Sequence, residues 1–171
     1  MKKRRISQTT AAAVLAAAAL VTFVIESRIP PPVALPGVKL GLANVFTLLA
    51  LHLLGRRAAA AVLAVRITLG ALFAGTALTF LYSLAGGVCC YLVMAAVFRP
   101  LGQKLLWVTS VLGALAHNAG QLAVAGAMLG RSVFFYAPVL AAAGIVTGVF
   151  TGLAAGFSLK ALQKAVSSRR T

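Results

Sequence analysis

The sequence predicts an all-α integral membrane protein of six transmembrane helices, with both termini cytoplasmic, in a single membrane domain over residues 1–171. Three observations predict it. Of 171 residues, 61% are hydrophobic and 10% are charged, and the mean hydropathy is +1.01, too little charge to solvate a soluble surface. Charge-free runs at 6–25, 40–55, 67–98, 105–130 and 132–159 are long or apolar enough to lie in a bilayer. Sixteen Lys+Arg against one Asp+Glu punctuate those runs. A nucleic-acid binder would spread its bases over polar segments, and disorder requires low hydrophobicity. Both classes are excluded.

Each helix follows from the spacing of charge and proline. The first is placed at 8–26, behind Lys2, Lys3, Arg4 and Arg5. A basic start before an Ala-rich run also fits a cleaved secretory signal; the following Glu26-Ser27-Arg28, the prolines 30–32 and the even span count favour retention. Four of six prolines fall in the segment 26–39, too stiff to continue a helix. It reads either as a connector or as a lid over an outward cavity, with Glu26 pairing with Arg28 or Lys39 at the rim.

The second helix, 40–54, is short, so Lys39 snorkels from its end or the helix sits within protein. The 41 residues 58–98 are interrupted only by Arg66, and as one helix they would reach about 60 Å, twice a bilayer core. They divide into 58–79 and 82–98, with the turn around Thr79–Ser83 and Tyr82 at an interface. The last two helices are placed at 105–129 and 134–160.

Counting bases in alternate loops gives the orientation. Twelve lie on the side of the termini and of Arg56, Arg57, Arg99 and Lys104, against Arg28, Lys39 and Arg131 on the other. Such an excess marks the cytoplasmic side.

Polar residues inside the spans are the candidates for function. Asn44 lies about 6 Å deeper than Leu40 by helical rise and needs partners at that depth. Arg66 carries a permanent charge into a span, and either snorkels to an interface or faces an anion or an interior polar network. His117, Asn118 and Gln121 share one broad face at spacings of three and four, and will line a pocket or join helices rather than face lipid. His52 and His117 lie in different spans without carboxylates, which offers no metal site. Gly144, Gly148, Gly152 and Gly156 form a ridge that suits close helix packing. Adjacent Cys89 and Cys90 face different ways and read as small buried hydrophobes.

An enzyme is not expected. Prenyl and phosphoryl transfer ordinarily hold Mg²⁺ with carboxylates, and the chain has one acidic residue. No phosphate-binding loop, nucleophile elbow or zinc motif is present, so neither a catalytic residue nor a cofactor is assigned.

Several blocks in order resemble the Gx transporter family, also labelled heptaprenyl diphosphate synthase component I. They are Ile25-Glu26-Ser27, Pro36-Gly37-Val38-Lys39-Leu40-Gly41-Leu42-Ala43-Asn44, the run from Arg66 to Gly70, Leu84 to Gly87, Gly113 to Gln121, and Gly144 to Gly148. The resemblance covers roughly residues 10–160. That family is similar to substrate-binding S components of energy-coupling-factor transporters. The resemblance implies a six-helix S-component-like bundle in the bacterial cytoplasmic membrane, with an outward ligand site. It also implies a small-residue face on the first helix that docks a transmembrane coupling protein joined to ATPase subunits. Ala12 and Ala16, or in the neighbouring register Ala13 and Ala17, would make that contact. Lys39, Asn44, Arg66, His117, Asn118 and Gln121 would line the site of a small, anionic cofactor or vitamin precursor. The alternative is a non-enzymatic membrane accessory to heptaprenyl diphosphate or quinone synthesis.

Overall fold

The computed structural model describes residues 2–29, 38–74 and 76–168, with side chains described except at 2–6, 74, 103, 166 and 167. Six α-helices account for nearly all of them: α1 (Lys2–Glu26), α2 (Asn44–Leu53), α3 (Arg56–Ala74), α4 (Ala77–Leu101), α5 (Leu106–Leu129) and α6 (Ala137–Ser168). Short 3-10 turns at Gln103–Leu105 and Arg131–Tyr136 lead into α5 and α6. The stretches Ser7–Glu26, Ala77–Leu101 and Arg131–Ala165 are long and apolar enough to cross a membrane. The greater part of the proline-rich segment, residues 30–37, and with it the expected lid, lies outside the described residues.

The helix count agrees with the sequence, and the boundaries move for identifiable reasons. α2 begins at Asn44 rather than 40, because Gly41 takes φ +80° and the backbone turns there before the helix starts. With ten residues it reaches only about 15 Å, half a bilayer core. Its burial replaces length: Asn44, Thr47, Leu48, Leu49, Ala50 and Leu51 are all buried, and it touches each of the other five α-helices. The break between α3 and α4 falls before Ala77, and not at Thr79–Ser83. Thr76 takes an extended conformation and its Oγ1 accepts from the Thr79 N–H at 3.1 Å, which satisfies one of the free donors at a helix start. Tyr82 therefore lies inside α4, fully buried, and is not an interfacial residue.

α4 packs most broadly on α5, and α5 on α6. The glycine ridge explains the second contact. A Cβ at Gly148 would meet the Val111 Cα at 2.5 Å, and one at Gly152 the Trp107 Cα at 2.5 Å, so backbone lies against backbone. Gly144 faces Asn118 and Leu115 of α5. Gly156 departs from the expectation: among the described residues nothing lies within 4 Å of its Cβ position, because α5 begins only at Leu106 and α6 runs past its start by that turn. At the other side of the bundle the Arg56 guanidinium donates to the Ala95 carbonyl at 2.6 Å, tying the start of α3 to α4.

Two apolar clusters result. One gathers Ala16, Leu48, Val62, Met94, Leu106 and Leu159; the other gathers Val38, Tyr82, Leu122, Ala125, Val133 and Leu140. Between them along α4 and α5 lie the buried polar residues Ser83 on one helix and His117 and Gln121 on the other, among others.

Candidate functional site

The centre of the bundle holds Arg66, and its neighbours come from α1, the segment before α2, α4 and α5. Arg66 stands ten residues into α3, about 15 Å from the helix start, and is 2% exposed. It does not snorkel to an interface. Its guanidinium carbon sits 5.8 Å from the centroid of the Phe23 ring, and a Cβ at Gly87 would lie 3.0 Å from one of its terminal nitrogens. Its Nε and that nitrogen have no hydrogen-bond partner among the described residues. A buried guanidinium in such a position is costly unless counter-charge is close.

That counter-charge is Glu26, the last residue of α1. The sequence suggests a rim ion pair with Arg28 or Lys39; the structure buries the carboxylate to 4% exposure and leaves Arg28 exposed. Glu26 Oε1 accepts from the Gly41 N–H at 2.5 Å, and the Leu42 N–H also bonds the carboxylate. Two successive amides converge on it because the chain turns at Gly41. A Cβ at Gly41 would strike the Asn44 amide at 2.8 Å and the His117 ring at 3.0 Å, so the turn needs glycine both for its positive φ and for its clearance. Arg66 and Lys39 both act electrostatically on Glu26. The chain's one acidic residue thus sits among its two interior cations.

Lys39 stands just before α2 with its Nζ 3.4 Å from the Phe23 ring centroid. Phe23 therefore presents its ring to both Lys39 and Arg66, an arrangement that the negative ring face stabilises for each cation. Gly70 makes room for that ring, since a Cβ there would lie 2.7 Å from its edge. Burial pushes the Lys39 ammonium down to about 8, helped by Arg66 and opposed by Glu26. The Lys39 backbone is held from α5. The Gln121 amide is satisfied when its nitrogen donates to the Lys39 carbonyl at 3.0 Å and its oxygen accepts from His117 Nε2 at 3.2 Å and from the Lys39 N–H at 3.3 Å. In that orientation His117 donates from Nε2.

Phe23, Glu26, Lys39, Gly41, Arg66, Ser83, His117 and Gln121 together enclose a cavity of about 10 Å³, room for about one water molecule. With both cations charged, the cluster carries a net charge of +1 beside Glu26. Such a site suits an anion, and anything larger than water requires the Lys39–Leu42 segment or the end of α1 to move.

Of the residues singled out from sequence, Lys39, Arg66, His117 and Gln121 line this cavity, and Asn44 borders it through Gly41. Asn118 points elsewhere: its Nδ2 donates to the Leu140 carbonyl of α6 at 2.6 Å, so it joins two helices. Phe23, Ser83 and Gly41 were not foreseen. An apolar ring and two small residues carry no signal in an apolar sequence.

The small-residue face of α1 divides by register. Ala16 is 6% exposed and packs into the first apolar cluster, with Ala12 half-buried against it. Ala13 and Ala17 are exposed. All four line an apolar groove of about 370 Å³ between α1 and α3, with Leu20, Val62 and Leu69. The pair open to a partner is therefore Ala13 and Ala17, and Ala16 is largely covered within the chain. No group of three or more His, Cys, Asp or Glu able to hold a metal ion occurs among the described residues.

Comparison with known proteins adds one finding. No curated protein and no solved structure matches the chain. Residues 15–158 match the family described as heptaprenyl diphosphate synthase component I, a span that contains the whole cluster around Arg66, all of α2 to α5 and parts of α1 and α6. The chain belongs to the heptaprenyl diphosphate synthase component I family.

Proposed function

We propose that this protein is a non-catalytic binding subunit of the cytoplasmic membrane, which takes a small organic anion at the Arg66–Lys39 cavity. In this reading it resembles the S component of an energy-coupling-factor transporter, and a separate coupling protein with ATPase subunits supplies the energy. The six helices would lie in the membrane with both termini cytoplasmic, the short α2 buried among the others, and the cavity would open outward beside the α1–α2 connection. The single observation that carries the reading is the cationic excess of a buried polar cluster in an apolar bundle: two cations against one carboxylate, itself occupied by two backbone amides. Interior charge of this kind in a membrane marks a substrate pathway by default. The chain's lone carboxylate is already engaged, which leaves little to hold the Mg²⁺ that diphosphate chemistry ordinarily uses.

The family description favours a second reading, in which the chain is a non-enzymatic accessory to heptaprenyl diphosphate synthesis. A diphosphate is also an anion, so the cavity's charge suits both. The two readings separate on partners and cargo. Mass spectrometry of small molecules released from the purified protein, with identification of co-purifying subunits, tests them together. A water-soluble anion with ATPase subunits supports the transporter. A prenyl diphosphate with a soluble synthase supports the accessory. Retention of the same anion by Arg66→Met as by the unmodified protein would refute the site in either reading.

A further inference from the structure

A second site lies at the opposite end of the α5–α6 pair from the Asn118–Leu140 contact. α6 is pressed against α5 at Gly148 and Gly152 and runs past the start of α5 at Gly156, where nothing among the described residues lies within 4 Å of the Cβ position. Beside that end lies a groove of about 460 Å³. Its walls are apolar, with Trp107, Leu153, Gly156 and Phe157, and its mouth carries Lys104 and Lys160. Trp107 is 46% exposed and Phe157 69% exposed, and Phe157 belongs to a stretch apolar enough to cross a membrane.

We propose that this groove binds a membrane phospholipid with an anionic head group. Charge complementarity commits the site to that occupant. The two lysines sit where a head group would, and no acidic side chain lines the groove. From Lys160 back to Gly152 is eight residues, about 12 Å along the helix, which is most of one leaflet of a hydrocarbon core of about 30 Å. A groove that is basic at its mouth and apolar for that depth matches one acyl chain below one phosphate. Trp107, packed on Gly152, offers its apolar ring at the deep end of the groove, where the acyl chain would lie. The walls from Gly152 to Lys160 belong to the long apolar stretch Arg131–Ala165, so a lipid would reach the groove laterally. Gly156 lies in the wall of the groove, midway between Lys160 and Gly152, which gives the fourth glycine of the ridge a use that helix packing does not.

Native mass spectrometry of the full chain in mild detergent tests this, with phosphatidylglycerol and phosphatidylcholine of identical acyl chains as probes. The expected result is preferential retention of phosphatidylglycerol, reduced about fivefold for each lysine lost in Lys104→Gln and Lys160→Gln. Phosphatidylcholine retention should be unaffected by either change. Gly156→Leu, which meets no neighbour at its Cβ, fills the groove and should lower retention of both lipids. Inorganic phosphate should not compete, since it lacks the chain that the groove holds. Equal retention of the two lipids, or no change in these variants, overturns the proposal. So does displacement of phosphatidylglycerol by an equimolar isoprenoid diphosphate, which would assign the groove to that amphiphile.

Discussion

Replacing Glu26 by Gln tests whether the cluster at the end of α1 is held by charge. The side chain keeps its size and loses its charge. In the native arrangement the carboxylate accepts from Gly41 and Leu42 amides. Bonds to an ionised acceptor contribute about 1.5–3 kcal/mol each against about 0.5–1.5 for neutral ones, so neutralisation forfeits about 1 kcal/mol per bond. The larger loss is electrostatic, because Arg66 and Lys39 then share a buried site without counter-charge. Removing one partner from a buried ionic group costs about 3–5 kcal/mol, and that is the destabilisation expected for Glu26→Gln. A double-mutant cycle with Arg66→Met isolates the charge coupling, because deleting both charges should recover a large part of the loss. Thermal unfolding in detergent, followed by circular dichroism and by Trp107 fluorescence, measures all four proteins. If Glu26→Gln lies within about 1 kcal/mol of the parent, or the cycle closes additively, the charges do not support one another and the account of this cluster is wrong.

Four further outcomes follow from the same geometry. Arg66→Met should abolish anion retention, whereas Asn118→Ala should lower the unfolding temperature and leave retention intact, since its amide serves the Leu140 carbonyl; equal effects on binding would place Asn118 in the site. Gly148→Ala drives a Cβ to 2.5 Å from the Val111 backbone and should destabilise by about 1–3 kcal/mol. Gly156→Ala meets nothing and should be neutral or gain up to about 1 kcal/mol of helix propensity, so similar shifts in the two would contradict the packing. Lys39 offers a pH test with two opposite signs. Its charge is present below about 8 and lost above it, so anion retention should fall as pH rises through about 8. Between about 8 and the ordinary 10.5 the unfolded chain holds more protons than the folded one, so this group's contribution to stability should rise with pH. On the transporter reading, Ala17→Trp should reduce co-purification of a coupling subunit without loss of folding. Ala16→Trp should damage the fold itself, because Ala16 is buried.

The sequence revealed the polar members of the cluster because charge and amides stand out in an apolar chain. His117 and Gln121 had nowhere to go except inward, whereas Arg66 could turn to an interface or to the interior. Periodicity could not say which inward direction each took, since a membrane helix is apolar on nearly every face; Asn118 shares a face with Gln121 in sequence, yet one meets α6 and the other Lys39. The fate of Glu26 was hidden for a different reason. Its partners are backbone amides of a turn, and a turn made by Gly41 in a run of Leu, Gly, Leu and Ala has no side-chain signature. The α3–α4 break was misplaced because Tyr82 carries a hydroxyl, a common mark of an interface; Thr76 followed by Thr79 was the better signal, as a capping pair. The glycine ridge was legible as a pattern but not in its extent, because spacing along one helix cannot tell where its neighbour ends.

The grip of Glu26 on Gly41 and Leu42 has a mechanical consequence. α1 ends in the side chain that fixes the backbone before α2, and the other flank of α1 is the open groove with Ala13 and Ala17. The helix is therefore a lever with a handle on the outside of the bundle and a latch at the cavity. A partner that tilted α1 by pressing on that groove would pull on the latch without touching the site. Work done on the exterior would reach the anion cavity through a single carboxylate, the only one the chain possesses.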